Sequence, residues 1–244
     1  MEDRVFAKPQ DHIVDFAFNE DVVGVFPDMI RRSVPGYELV IPMGGLMAAR
    51  HLGATGTAFD LGCSLGASSL ALLSQCPSSD IRVIGVDSSA AMIDQAKRNI
   101  DDPRIAFHCD DLLTTKVTGA KVVMLNFVVQ FLPPESRADL LQRIAQEMDP
   151  AGLLILSEKV QDERPNVQAF YDSTHLAWKR ANGYSTLEVS QKRQALENVM
   201  RVESPQTHHA RLNSAGFNDI VPWFHCMNWI SFAASPTRVL HASG

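Results

Sequence analysis

The chain has no cysteine pair spaced C-x-x-C, and its four cysteines, at 63, 76, 109 and 226, match no zinc-ligand spacing. Reduced thiols in a core are the natural reading, so neither a disulfide scaffold nor a metal site is expected. Long apolar runs are missing too. The longest, Val122 to Leu132, is interrupted by Asn126 and Gln130, is too short to cross a bilayer, and reads as a buried strand. Positive charge is scarce: 22 Lys and Arg against 28 Asp and Glu leave a net charge of −6. The basic pairs Arg31-Arg32, Lys179-Arg180 and Lys192-Arg193 are short and separated by acids, so no basic stripe exists to grip a nucleic acid. The opening Met1-Glu2-Asp3-Arg4-Val5 has no basic segment leading into an apolar one. No secretory leader is expected, and the chain reads as cytoplasmic.

What is present is concentrated in Phe59-Asp60-Leu61-Gly62-Cys63-Ser64-Leu65-Gly66. An apolar lead-in ends in an acid, two glycines follow four apart, and a helix-like run begins at Ala67. A second apolar run, Ile81 to Val86, ends in Asp87. A strand, glycine turn, helix, strand and acid in succession is how an α/β sheet holds an adenosine. The glycines admit the ligand to the backbone and the second acid takes the ribose hydroxyls. The dinucleotide pattern G-x-G-x-x-G is incomplete, because Ser64 and Ala67 stand at its second and third glycine positions. Asp60 before the turn would repel a pyrophosphate and suits a ligand with a cationic amino group. S-adenosylmethionine, with an α-amino group, a sulfonium and no phosphate, fits that turn. A generic strand–helix turn that binds nothing is the bland alternative.

From Thr57 onward strands and helices alternate. Strands are expected at 57–61, 82–86, 105–108, 121–127 and 153–157, with helices at 65–76, 90–100 and 135–148. This is a doubly wound α/β fold with a mostly parallel sheet. After a helix at 207–215, two strands close in sequence, 219–224 and 227–233, predict a hairpin that places an antiparallel strand at the sheet edge. The 244 residues make one domain, with residues 1–55 as a helical cap and 161–204 as a helical insertion. The cap reads as short helices broken at Pro27, Pro35-Gly36 and Gly44-Gly45. In the insertion, Val167, Phe170, Tyr171, Thr174 and Trp178 share a helical face, and Ser185-Thr186-Leu187-Glu188 has capping-box spacing.

Val189, Arg193, Leu196 and Met200 fall on one helical stripe, which puts a guanidinium among apolar neighbours. It must reach solvent, pair with a carboxylate, or face a ligand. An arginine near a sulfonium makes sense only if the bound group also carries an anion. The other polar clusters read blandly. His208-His209 is a surface pair at a helix start, Asp101-Asp102-Pro103 a solvated turn, and Trp223, Phe224 and Trp229 core or interface.

With these segments in view, the chain resembles the carboxy-S-adenosylmethionine synthases of wobble-uridine tRNA modification. The resemblance is carried by Val25–Ile30, Arg32–Tyr37, Phe59–Ala67, Leu125–Phe127, Gln130–Leu132, Leu156–Lys159, Lys179–Ser185, Ser190–Arg193, Leu196–Met200 and Trp223-Phe224. The glycine turn is shared with methyltransferases at large, whereas Ser33–Tyr37 and Lys179–Arg193 are far more specific. The resemblance implies a class I S-adenosylmethionine methyltransferase fold with a seven-stranded sheet that does not transfer a methyl group. It implies conversion of S-adenosylmethionine and prephenate into carboxy-S-adenosylmethionine and phenylpyruvate, with no metal. The product then goes to a separate tRNA carboxymethyltransferase.

Carried over by position, the ligand contacts are Tyr37, Gly62, Cys63, Ser64, Asp87, Ser88, Asp111, Leu112, Asn126 and Arg193. Tyr37 and Arg193 lie closest to the chemistry. Asp87 would take the ribose hydroxyls, Asp111 or its neighbour Asp110 the adenine amino group, Leu112 the ring face, and Arg193 the added carboxylate. Arg193 could serve its own site or a second chain's. The resemblance also implies a homodimer, for which Phe170, Tyr171 and Trp178 together with the cap are the expected interface. Two other readings stand beside it: an ordinary S-adenosylmethionine methyltransferase with the insertion as a lid, and a non-catalytic cofactor-binding partner of a tRNA-modifying enzyme.

Overall fold

Five parallel strands follow the punctuation by acids and glycines, with helices between them except between the third and the fourth. They are β1 (Gly56–Leu61), β2 (Ile81–Asp87), β3 (Ile105–Cys109), β4 (Val122–Asn126) and β5 (Leu153–Lys159). The computed structural model describes residues 2–9 and 15–237; residues 1 and 10–14 of the expected cap and the tail 238–244 lie outside it. Two further strands, β6 (Asp219–Cys226) and β7 (Trp229–Ser235), complete the sheet. Among the described residues its order is β3-β2-β1-β4-β5-β7-β6. The hairpin forms as expected, with β6 at the edge antiparallel to β7, and β7 in turn antiparallel to β5. β1 is flanked by β2 and β4, so the chain reverses its winding there and opens a crevice at the carboxyl ends of those strands.

Both sheet faces are covered. On one, α3 (Tyr37–Leu52) and α4 (Ala67–Leu73) bury Ala48, Leu52, Leu72 and Leu73 against Val122, Met124 and Ile155. On the other, α6 (Arg137–Glu147) and α9 (Pro205–Ala215) bury Leu140, Leu141, Ile144 and Leu212 against Val123, Leu125 and Leu154. α5 (Ala90–Asn99) packs Ile93 and Ala96 on Phe107 and Cys63. Among the described residues no helix is long and apolar enough to cross a membrane.

The cap contains α1 (Glu20–Val23), α2 (Phe26–Ser33) and then α3. Two of its expected breaks are corrected. Pro27 sits in the first turn of α2, where its missing N–H costs nothing, and α3 continues through Gly44-Gly45. A Cβ on Gly45 would lie 2.5 Å from the Ala71 carbonyl carbon, so this glycine lets α3 and α4 approach. Gly36, at φ +82°, does separate α2 from α3.

The insertion forms α7 (Pro165–Ala181) and α8 (Thr186–Glu197), and the capping box of Ser185 and Glu188 is formed as expected. Its base is tied by the Gln161 N–H donating to the Glu203 carbonyl (3.1 Å), while the Glu203 carboxylate meets both Arg137 and Arg211.

Candidate active site

The glycine turn follows β1 directly. Gly62 has φ +75°, and a Cβ there would lie 2.5 Å from Val128 Cγ2, so both conformation and packing demand glycine. The N–H groups of Gly62 and Cys63 donate to the Val86 carbonyl (2.7 and 3.0 Å). The Ser64 N–H donates to Asp87 Oδ2 (2.9 Å), with Ser64 itself at φ 49°. Three successive backbone donors are therefore satisfied within the fold. A pyrophosphate needs such donors free, so this turn suits a phosphate-free adenosine ligand.

Asp87, at the end of β2, is half-buried and also accepts the Ser89 N–H at Oδ1 (2.9 Å). Burial raises its pKa, against the pull of the Ser89 and Ser64 donors. Asp60 is buried beneath the turn, where its Oδ2 accepts both the N–H (3.0 Å) and the hydroxyl (2.7 Å) of Ser69 in α4. The carboxylate expected to meet a cationic ligand thus anchors α4. Burial pushes it to about 6 despite the Ser69 bonds. Tyr37, the first residue of α3, is half-buried beside Phe127, with ring centroids 6.0 Å apart. Burial and then the charge of Asp60 raise its phenol. Tyr37 is therefore electrostatically coupled to the floor of the glycine turn.

Asn126 ends β4 at the same crevice. Its Nδ2 donates to Ser68 Oγ (3.0 Å), while its Oδ1 is buried with no hydrogen-bond partner among the described residues. A buried acceptor left unpaired costs roughly 1–3 kcal/mol, and an ammonium group would satisfy it. The α-amino group of S-adenosylmethionine is a donor of that kind. Ser88 is exposed, and its carbonyl accepts from the Cys109 thiol (3.6 Å). Cys63 is buried against α5, and burial drives its thiol far up. Asp110 and Asp111 are both exposed; Asp111 Oδ1 accepts the Leu113 N–H (2.8 Å) and Asp110 Oδ1 the Asp111 N–H (2.8 Å). Leu112 belongs to the main core. Tyr37, Gly62, Ser64, Asp87 and Asn126 thus line the strand ends, and Ser88 to Leu112 continue along β2 and β3.

Arg193 does not lie on an apolar face. α8 buries Glu188, Val189, Gln191, Lys192 and Ala195, and it stops at Glu197, before Met200. Arg193 is exposed in the single chain. The stripe failed because α8 turns its ionisable residues inward: Lys192 lies 3.5 Å from the Asp3 carboxylate and donates to Ser33 Oγ (2.9 Å). Arg193 still acts electrostatically on Lys159 at the end of β5 and on Lys179 of α7.

A methyltransferase domain model matches residues 58–152, the sheet segment that holds the glycine turn and Asp87. The carboxy-S-adenosyl-L-methionine synthase of Shewanella denitrificans is 44% identical over 237 residues, covering 96% of this chain and 98% of its own. That of Pseudomonas fluorescens is 46% identical over 242 residues, with the same coverage. The chain belongs to the carboxy-S-adenosyl-L-methionine synthase family. Solved structures confirm the class I methyltransferase fold. An O-methyltransferase family protein from Burkholderia thailandensis matches with TM-score 0.63 at 16% identity, over 89% of this chain and 60% of that one. Human N-acetylserotonin methyltransferase matches with TM-score 0.59 at 17% identity, over 88% and 55%.

Within this synthase-family chain, the matching segments Arg32–Tyr37 and Lys179–Ser185 pack on one another. The Arg32 guanidinium stacks 4.0 Å over the Tyr184 ring, bonds the Asn182 carbonyl (2.7 Å) and pairs with Asp28 (3.0 Å). Asp3 is buried among them, accepting from Tyr184 and facing Lys192. Nothing in the sequence marks Asp3 as the partner of a lysine so distant. Glu158, also missed, is fully buried and accepts the N–H groups of Val128 (3.2 Å), Val129 (2.8 Å) and Gln130 (2.8 Å). It fixes the turn after β4 that carries Phe127 at φ 63°. Burial pushes its carboxyl up to about 8 against the pull of those donors. His208, read as surface, is buried with Nδ1 unpartnered among the described residues, whereas His209 is exposed.

Proposed function

We propose that this chain carboxylates the S-methyl group of S-adenosylmethionine, with prephenate as the source of the carbon dioxide. Membership of the synthase family over nearly the full length carries the reading. The chemistry balances without a cofactor. Prephenate loses its ring carboxylate as carbon dioxide and its ring hydroxyl as hydroxide, and the ring becomes aromatic, leaving phenylpyruvate. The hydroxide takes a proton from the S-methyl group. The resulting sulfonium ylide attacks the carbon dioxide, and carboxy-S-adenosylmethionine forms with one water.

In this reading Asp87 accepts from the ribose hydroxyls and Asn126 Oδ1 from the α-amino group. Asp111 or Asp110 meets the adenine, and Tyr37 closes the site over the turn. The protein supplies proximity and exclusion of water, so that the ylide meets carbon dioxide before it meets a proton donor. Arg193 binds the new carboxylate, which only the product carries.

The product goes on to a separate tRNA carboxymethyltransferase in the cytoplasm, and this chain does not itself bind tRNA. It acts as a homodimer. The exposed residues Leu39, Met43 and Leu46 form a stripe on α3, and Phe170, 63% exposed, stands on α7. A mass of two chains by light scattering is expected; a monomer at micromolar concentration contradicts the dimer.

Mass spectrometry of ligand extracted from the purified protein tests the function. Carboxy-S-adenosylmethionine supports it. Unmodified S-adenosylmethionine that turns into S-adenosylhomocysteine on incubation with an acceptor points instead to an ordinary methyltransferase.

A further inference from the structure

Beside the crevice β5 and the insertion gather cations, of which only Arg193 has a part in the site described above. Lys159 is the last residue of β5, so it stands at the carboxyl edge of the sheet, one strand over from Asn126. Its ammonium lies 5.9 Å from the Trp229 ring centroid. Trp229 shares an apolar cluster with Phe127 and Tyr37, which connects this region to the ligand turn. Lys179, in the last turn of α7, is only 8% exposed. Lys192 is 4% exposed, and Arg193 stands next to it on α8.

His175 completes the group, its ring centroid 4.6 Å from that of Trp229. Its Nε2–H donates to the Ser33 carbonyl (2.9 Å). Burial first, then Lys179, pushes its pKa to about 3, so it is a neutral ring and adds no charge.

The balance of charge is one-sided. Lys192 has a carboxylate, Asp3, at 3.5 Å. Asp172 acts favourably on Lys159 but spends Oδ1 on the Gln168 amide (2.8 Å). Lys179 has no carboxylate within ion-pair distance among the described residues. The charges that act on it are those of Lys192, Lys159 and Arg193, and with burial they pull it to about 7. Withdrawing an ammonium from water beside other cations is costly, and proteins retain such groups where an anion completes them.

We propose that Lys159 and Lys179 form the subsite for the side-chain carboxylate of a dianionic 2-oxo acid co-substrate, the carboxylate that survives the reaction. The proposal rests on the carboxylation reading given above. The co-substrate has two carboxylates, and only one belongs against these lysines. The ring carboxylate must leave as neutral carbon dioxide. An ammonium paired with it would stabilise the ground state more than the transition state and slow the loss. The side-chain carboxylate keeps its charge throughout, so pairing with it binds and orients the molecule without opposing decarboxylation. Arg193 is then free for the carboxylate that appears on the product.

Steady-state kinetics on the full-length protein test this with prephenate and S-adenosylmethionine, comparing wild type with Lys159→Met and Lys179→Met. Loss of a charged hydrogen bond predicts a KM for prephenate raised roughly 10- to 100-fold, with the affinity for S-adenosylmethionine unchanged. Removing a buried, cation-crowded ammonium should also leave the Tm of Lys179→Met level or higher, whereas a purely structural lysine would lower it. A wild-type experiment guards against misfolded variants. Phenylpyruvate should compete with prephenate, and its methyl ester should not. An unchanged KM in both variants, or inhibition by the ester equal to that by the acid, overturns the subsite. A wild-type enzyme that makes no carboxy-S-adenosylmethionine from prephenate overturns the function, and the subsite with it.

Discussion

Replacing Asp87 by Asn changes one atom and tests two roles of the residue together. The carboxylate accepts the Ser64 N–H at Oδ2 and the Ser89 N–H at Oδ1, both at 2.9 Å. An amide has one acceptor oxygen, so one backbone donor keeps its partner and the other faces an NH2 group. The loss is a charge-assisted bond together with a stranded donor, roughly 1.5–3 kcal/mol of stability. For a chain of this size that lowers Tm by about 3–12 °C. Ligand binding should fall as well, because the ribose hydroxyls lose an ionised acceptor; a further ~1.5–3 kcal/mol is a 10- to 100-fold weaker dissociation constant. Calorimetry supplies the Tm, and titration with S-adenosylmethionine the affinity. A lowered Tm with intact affinity confines Asp87 to holding the turn. Both values unchanged would refute the reading of the strand-end acid altogether.

Arg193→Ala should weaken carboxy-S-adenosylmethionine more than S-adenosylmethionine. The difference is roughly 1–3 kcal/mol, toward the lower end because the guanidinium is exposed in the single chain. Arg193→Lys should restore only part of it, and equal losses for both ligands in paired titrations would remove Arg193 from the carboxylate. Gly45→Ala should destabilise by about 1–3 kcal/mol despite alanine's better helix propensity, because the new Cβ meets Ala71 backbone at 2.5 Å. A Tm that stays level or rises contradicts that contact. His208 is held down to about 4, by burial first. Its folded-state pKa lies below the unfolded value, so as pH falls from about 6.5 the unfolded chain takes up the proton first. Stability is then lost down to about pH 4, by up to roughly 3 kcal/mol. The ring should stay neutral in NMR spectra at pH 5.5, and His208→Gln should flatten the acid limb of the stability curve; a ring that titrates near 6.5 rejects this.

The sheet was legible because its signals are local. Each parallel strand is an apolar run closed by an acid, glycine or asparagine, and its expected limits agree with the structure to within two residues. The glycine turn was legible for the same reason, since Gly62, Ser64 and Asp87 sit at the ends of β1 and β2. What escaped depends on contacts remote in sequence. Gly44-Gly45 read as a break because the approach of α4 that makes Gly45 necessary is not visible along the chain. Lys192 drew notice only as half of a short basic pair, because local composition cannot show that Asp3, Ser33 and Tyr184 converge on it. Arg193 was assigned to the wrong face by the same blindness: a helix that buries Lys192 and Glu188 breaks the apolar periodicity on which the assignment relied.

The central claim is that the carbon added to S-adenosylmethionine comes from the co-substrate's leaving carboxylate and is captured before it escapes. Prephenate labelled with carbon-13 at the ring carboxylate alone, incubated with the wild-type protein and unlabelled S-adenosylmethionine, tests it directly by mass spectrometry. The account predicts carboxy-S-adenosylmethionine carrying the label, equimolar unlabelled phenylpyruvate, and no S-adenosylhomocysteine, even with excess unlabelled bicarbonate present. Product diluted by the bicarbonate, label recovered only as free carbon dioxide, or S-adenosylhomocysteine in place of the carboxylated product would contradict it.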